Sequence, residues 1–254
     1  MKEIDLLIEI MSKLRSNNGC PWDKVQTHQS LKGYLLEETY EVIDTIDRSN
    51  YDELKEELGD LLFQIIFHSQ LASEKGFFDF KDVCSIIAKK MISRHPHVFS
   101  DKKFDSLEEV SKQWQERKKE EGKNKESIFD GIPSELPSLL KAQRIQSRAS
   151  KVGFDWDDVK DAMPKIYEEI DELRDNINRG NSEGIEEELG DILFSIVNVA
   201  RLLKINSEDA LRKTVNKFIL RFHHIETFAK DTGRSINDLT LKEMDELWEA
   251  TKKL

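Results

Sequence analysis

Residues 37–63 read EETYEVIDTIDRSNYDELKEELGDLLF, and residues 168–194 read EEIDELRDNINRGNSEGIEEELGDILF. Displaced by 131 positions, the two stretches align without a gap and 14 of their 27 pairs are identical. In the first copy Leu35, Leu36, Val42, Ile43 and Ile46 recur at helical spacing, followed by Leu54, Leu58, Leu61, Leu62, Ile65 and Ile66. Ser49-Asn50 is a start signal between the two runs, and Gly76 is a stop. The second copy repeats the pattern with Ile166, Ile170, Leu173 and Ile177, then Ile185, Leu189, Ile192, Leu193 and Ile196. Each copy is therefore predicted to be a hairpin of two antiparallel helices. Such a hairpin cannot cover both of its faces, so four-helix bundles completed by dimerisation are expected, in an all-α protein.

Moving outward from the hairpins, Trp22-Asp23 falls on Trp156-Asp157 at a displacement of 134. The same displacement places Ser106-Leu107-x-Glu109, with Trp114, on Thr240-Leu241-x-Glu243, with Trp248, as two capping boxes. Lys90-x-x-x-Arg94 resembles Lys217-x-x-x-Arg221 after small length changes. Two tandem copies of one domain are the simplest account, over residues 1–121 and 138–254. A linker over 122–137 is expected from Pro133, Pro137 and the Asp130-Gly131 turn signal. The composition agrees: with 11 Gly, 5 Pro and 35% charged residues in 254, there is too little turn chemistry for a β-sandwich or barrel. Cys20 and Cys84 lie far apart, so neither a disulfide framework nor a zinc ribbon is expected. Met1 to Leu14 is charged and amphipathic rather than a signal peptide, and no uncharged run reaches membrane length, so a cytoplasmic protein without a membrane partner is expected.

The formal charge of −11 disfavours nucleic acid as a partner. Residues 37–60 and 168–191 each hold ten acids and two bases, or −8 apiece, which leaves the rest of the chain at +5. Glu37, Glu38 and Glu41 share a helical turn, as do Glu57 and Asp60, and the hairpin fold brings them together. Like charges about 6 Å apart at an effective dielectric near 20 repel by roughly 2 to 3 kcal/mol per pair. Either such groups protonate or a cation sits among them. Mg2+ suits an all-oxygen site because it takes carboxylates and completes its octahedron with water and phosphate. Gly59 and Gly190, each inside a helix, point to close approach by another helix or a ligand. Lys217 and Arg221 are spaced either to clamp phosphates or to form a basic helix face paired with nearby acids, and Trp248 and Trp114 either stack on a nucleobase or, more commonly for an amphipathic helix, pack in the core; Trp22 and Trp156 read as packing. None of the six histidines stands in Glu-x-x-His or precedes Asp, and no G-x-x-x-x-G-K or G-x-S-x-G occurs. A ferritin-like di-iron bundle, a histidine-metal phosphohydrolase, a P-loop enzyme and a serine hydrolase are thereby disfavoured.

Glu-Glu-x-x-Glu followed by Glu-x-x-Asp on a helical hairpin, twice in one chain, resembles the MazG family of nucleoside triphosphate pyrophosphohydrolases, in its two-copy form. The family belongs to the all-α NTP pyrophosphatase superfamily. Gly19-Cys20-Pro21-Trp22-Asp23, Arg94-His95-Pro96-His97-Val98-Phe99 and Val152-Gly153-Phe154-Asp155-Trp156 carry the resemblance over nearly the whole chain. It implies Mg2+-dependent hydrolysis of ribo- or deoxynucleoside triphosphates to monophosphate and pyrophosphate by a helical homodimer. The metal ligands it implies are Glu169, Glu172, Glu188 and Asp191, matched by Glu38, Glu41, Glu57 and Asp60 in the first copy. Lys165, Glu168, Lys217, Arg221 and Trp248 match nucleotide positions, with Lys90 and Arg94 in the first copy. Glu168 and Glu37 are the candidates to take a proton from water. Pro96 is expected to break the first copy's last helix just after Arg94, which favours the second copy as the active one. The alternative of another class is a helical interaction protein whose repeated acidic patches bind a basic partner.

Overall fold

Asparagine starts the second helix of both hairpins, and the reason is local. Helix α3 (Lys32–Asp47) ends at Arg48; Ser49 turns the chain at φ +54°, and the Asn50 side chain accepts a hydrogen bond from the Glu53 amide at 3.4 Å to open α4 (Tyr51–Ser73). In the second copy α8 (Val159–Arg179) closes on Gly180 at φ +67°, and Asn181 accepts from the Gly184 amide at 3.3 Å to open α9 (Ser182–Leu202). The structure, a computed structural model, describes residues 2–100, 106, 109–110 and 126–252. Trp114 and Leu107 lie outside the described residues. All regular structure among those described is helical.

The chain divides into two units, Met1–Lys123 and Asn124–Leu254. In the first, α1 (Lys2–Leu14) and the short α2 (Pro21–Val25) precede the α3–α4 hairpin, and α5 (Phe80–Arg94) and α6 (Pro96–Phe99) follow it. Met11, Leu31, Ile66, Phe67 and Leu71 form its core, where α1 lies on α4. Pro96 does separate α5 from α6, with His95 as the hinge residue. In the second unit α7 (Ser138–Ser150) packs on α9, and the α8–α9 hairpin is followed by α10 (Ser207–Asp231), a 3-10 turn (Ile236–Asp238) and α11 (Leu241–Thr251). Thr240 and Glu243 form the capping box anticipated for α11, and Ile225, Ala229 and Leu239 form a core with Phe222 and Trp248 against it.

In the described part of the 122–137 segment, the Arg148 guanidinium donates to the carbonyls of Ile128 and Asp130 at 2.8 and 2.7 Å, tying it to α7. No other helix of the same unit approaches Gly59 or Gly190: a Cβ built on either meets no atom of the chain within 4 Å. Crowding is found at Gly19, where a Cβ would stand 2.0 Å from the Leu14 carbonyl oxygen, and at Gly184, where it would stand 2.5 Å from both the Asn176 Oδ1 and the Asn181 Nδ2 atoms.

Candidate metal centre

Antiparallel packing of α8 on α9 carries the two acidic turns face to face. Glu169, Glu172 and Glu188 each offer a carboxylate oxygen within 4.8 Å of the others, and Glu38, Glu41 and Glu57 do the same between α3 and α4. Asp191 and Asp60 sit one turn beyond, close enough that Asp191 acts electrostatically on Glu188, and Asp60 on Glu38 and Glu57. Three carboxylates thus converge in each unit, with Asp60 or Asp191 beside them. Desolvation, then the charge of Glu172 and contact with Glu169, raises the Glu188 carboxyl above the ordinary carboxylate range. Glu57 is raised by desolvation, Glu41 and Asp60, and Glu38 by burial with Asp60 and Glu41, against a 3.4 Å hydrogen bond from Gln64. The clusters repel internally in both copies.

The two copies handle that repulsion differently. In the second, the Lys165 ammonium lies 2.7 Å from the Glu169 carboxylate and 2.9 Å from Glu168, and these two acids hold its pKa well above the usual lysine value. Glu169 is buried, whereas Glu168 and Glu172 are exposed. At a displacement of 131 the first copy has Tyr34 in place of Lys165, so no ammonium reaches its cluster from that position. Glu37 is exposed on α3. In the second copy a chain of hydrogen bonds also runs from the helix cap to the acids: Gly184 N donates to Asn181, Asn181 Nδ2 donates to Asn176 Oδ1 at 2.9 Å, and Asn176 Nδ2 donates to Glu188 at 3.3 Å. The first copy has Thr45 and Glu53 where Asn176 and Gly184 stand, and it lacks this chain. Sequence reading passed over Asn176 and Gly184, although the Gly-for-Glu exchange between the copies was a visible signal.

Oxygen-only donors suit a hard cation, and no histidine or cysteine joins either cluster among the described residues. With Mg–O distances near 2.1 Å, opposite ligands of an octahedron stand about 4.2 Å apart. Oxygens within 4.8 Å therefore need only small side-chain adjustments to share an ion.

Beside the second cluster lies a cavity of about 800 Å³ between α7, α8 and α9, with Lys165, Glu169 and Asp191 in its wall. Trp156, read from sequence as packing, is a half-exposed wall of this cavity; Trp22 is equally exposed and meets Tyr34 edge-on at 5.6 Å. Arg221 on α10 lies 5.5 Å above the Trp248 ring of α11, Phe218 packs against that ring at 4.9 Å, and Lys217 stands one turn before Arg221 on α10. They do not line the cavity within the unit. Lys90 and Arg94 lie at the end of α5 in the first unit.

Comparison with known proteins follows the same division. The MazG nucleotide pyrophosphohydrolase domain matches twice, over residues 26–99 and 157–226. A nucleoside triphosphate pyrophosphohydrolase of Escherichia coli K12 is 45% identical over 258 residues, covering 100% of this chain and 98% of that protein. The nucleoside triphosphate pyrophosphohydrolase/pyrophosphatase MazG of Thermotoga maritima is 46% identical over 257 residues, covering 99% of this chain and 98% of its own length.

Proposed function

The chain belongs to the MazG nucleotide pyrophosphohydrolase family, and from that we propose that it is a Mg2+-dependent hydrolase of ribo- and deoxynucleoside triphosphates that releases the monophosphate and pyrophosphate. The observation that carries this reading is the Glu169–Glu172–Glu188 cluster, bordered by Asp191, Lys165 and the cavity. Glu169, Glu172, Glu188 and Asp191 would hold the ion. Bound there, Mg2+ supplies charge neutralisation of the triphosphate and polarisation of the scissile anhydride. Glu188 is oriented for this by Asn176, and the buried Glu169 carboxylate is paired with the Lys165 ammonium.

Glu168 lies outside the three-carboxylate cluster and beside it, where it takes a proton from the attacking water. Lys165 stands at the rim to meet a phosphate oxygen. Lys217 and Arg221 are placed to add positive charge only if another copy brings them to the acids. The exposed Leu211, Val215, Phe218 and Ile219 on α10 support such a homodimer. The first unit's cluster, with Tyr34 for Lys165 and without the asparagine chain, is the less equipped of the two, with Glu38, Glu41, Glu57 and Asp60 as ligands and Glu37 as the base. The deciding assay is pyrophosphate release from a panel of nucleoside triphosphates with and without Mg2+. Turnover that requires the ion is expected, and no release from any of them under either condition rejects the activity. An interaction protein would instead bind a basic partner without metal dependence.

A further inference from the structure

We propose that His28 and His68 form an acid-released latch in the first unit: one proton shared between their Nδ1 atoms fastens the turn that leads into α3 onto α4, and a second proton opens it.

The two Nδ1 atoms stand 2.8 Å apart, the ring centroids 5.1 Å apart, and the ring planes differ by 8°. That centroid separation is the nitrogen–nitrogen distance with one ring radius added on each side. The imidazoles therefore meet head to head in a common plane instead of lying one over the other. Such a line holds a single hydrogen: one ring donates Nδ1–H and the other accepts on its bare Nδ1. His28 is exposed, so its Nε2 meets water, whereas the Nε2 of His68 is buried without a hydrogen-bond partner. A first added proton is accommodated at the water-facing Nε2 of His28, with His28 donating across the line in a charge-assisted bond. A second must go to the Nδ1 of His68. It sets N–H against N–H between two like charges and buries a cation with an unpaired Nε2–H, so the rings part.

The surroundings do not offset this. Burial, and then the charge of His28, lowers the His68 pKa from the ordinary histidine value, and no carboxylate acts on it among the described residues. On the helices that touch α4, Arg15 after α1 is paired with Glu74, Glu38 of α3 is bonded to Gln64, and Asp79 and Asp82 at the start of α5 cap each other. The acidic cluster is remote, since His68 lies eight residues beyond Asp60, about 12 Å along the helix. A metal fits the pair poorly, because zinc takes three or four protein ligands and no third ligating side chain joins these two among the described residues.

The turn held by the latch is itself well built. Thr27 and Ser30 cap each other, at 2.9 Å from the Thr27 amide to Ser30 Oγ and 3.1 Å from the Ser30 amide to Thr27 Oγ1. Leu31 then enters the core with Ile66 and Phe67 of α4. The second copy has no counterpart: between Trp-Asp and Glu-Glu the displacement drops from 134 to 131, so the first copy is three residues longer there, and Val199 stands where His68 is. Because the folded pKa of His68 is lowered, its contribution is present above the ordinary histidine value and is lost as pH falls below it. Acid thus loosens the start of α3 in the first unit alone.

The test is hydrogen exchange of the full chain at pH 7.5 and 5.0, corrected for the intrinsic pH dependence of exchange and read by mass spectrometry over residues 26–32. Local opening is the readout because Glu38 and Glu57 move global stability the other way over this range. In the wild type the segment is expected to open roughly tenfold more at pH 5.0, while residues 182–202, which contain no histidine, do not accelerate. His68→Asn keeps an uncharged partner for the His28 Nδ1 and should hold the segment closed at both pH values; His68→Phe should leave it open at both. Imidazole nitrogen NMR of the wild type should give His68 a pKa below the ordinary value, and His28→Phe should raise it. Wild-type opening that changes less than twofold with pH overturns the proposal. So does equal acceleration in His68→Asn, or a His68 titration that is the same with and without His28.

Discussion

Glu172 and Glu168 are four residues apart on one exposed helix face, yet they are assigned different work, and substitution separates them. Glu172→Gln removes one of the three converging oxygens, so Mg2+ affinity and pyrophosphate release should both fall, by on the order of a hundredfold. Stability should stay within about 0.5 kcal/mol, as expected for an exposed helical position. Glu168→Gln should leave Mg2+ affinity unchanged and lower kcat by roughly 10²- to 10⁴-fold; isothermal titration with Mg2+ beside a pyrophosphate assay reads both. The acids were legible in the sequence because two copies kept the same spacing. The grip of Lys165 on Glu169 and the cap-linked amide chain through Asn176 were not, because both depend on side-chain directions that a spacing does not encode.

At the scale of the helices, the two glycines of α9 behave oppositely. Gly190→Ala adds a methyl group that meets nothing within 4 Å, so it should raise stability by about 1 kcal/mol through helix propensity alone. Gly184→Ala drives a methyl group to 2.5 Å from the Asn176 and Asn181 amides, and should weaken Mg2+ binding severalfold by releasing Glu188. Thermal unfolding and Mg2+ titration of the pair check this. The hairpins also carry a pH signature. Glu188, Glu57 and Glu38 have folded pKa values raised by burial and by neighbouring acids. Their favourable contribution is therefore present below the ordinary carboxylate value and is lost as pH rises through the raised ones. Without divalent ions the Tm should fall as pH rises above the ordinary carboxylate range, and Mg2+ should restore it at pH 7 but not at pH 4.5. Glu243 runs the other way: Arg234 and then the Thr240 cap depress it to about 2, so its contribution holds above the ordinary value and is lost only as pH drops toward 2. Helix periodicity, the asparagine caps and the Thr240 capping box were all readable beforehand. No neighbouring helix of the unit crowds Gly59 or Gly190, and glycine in a helix signals a cost without saying what offsets it.

For the whole molecule, the duplication is the organising fact, and the two units are not equivalent in chemistry. We expect a fragment of residues 124–254 to fold, bind Mg2+ and retain pyrophosphate release, and a fragment of residues 1–123 to bind Mg2+ without turnover. Loss of all activity in the first fragment, with its circular dichroism intact, would reverse that assignment. The apolar side chains left open on α9 and α10, among them Leu193, Ile196, Val215 and Phe218, predict concentration-dependent self-association by sedimentation. The repeat, visible without any structure, was enough to anticipate two helical units. It could not show the cavity beside the second cluster, because its walls come together from α7, α8 and α9 only in the folded unit. The ammonium of Lys165, seated on Glu169, gives the second acidic cluster a countercharge carried by the chain itself, while the first, with Tyr34 at the matching position, has none from there.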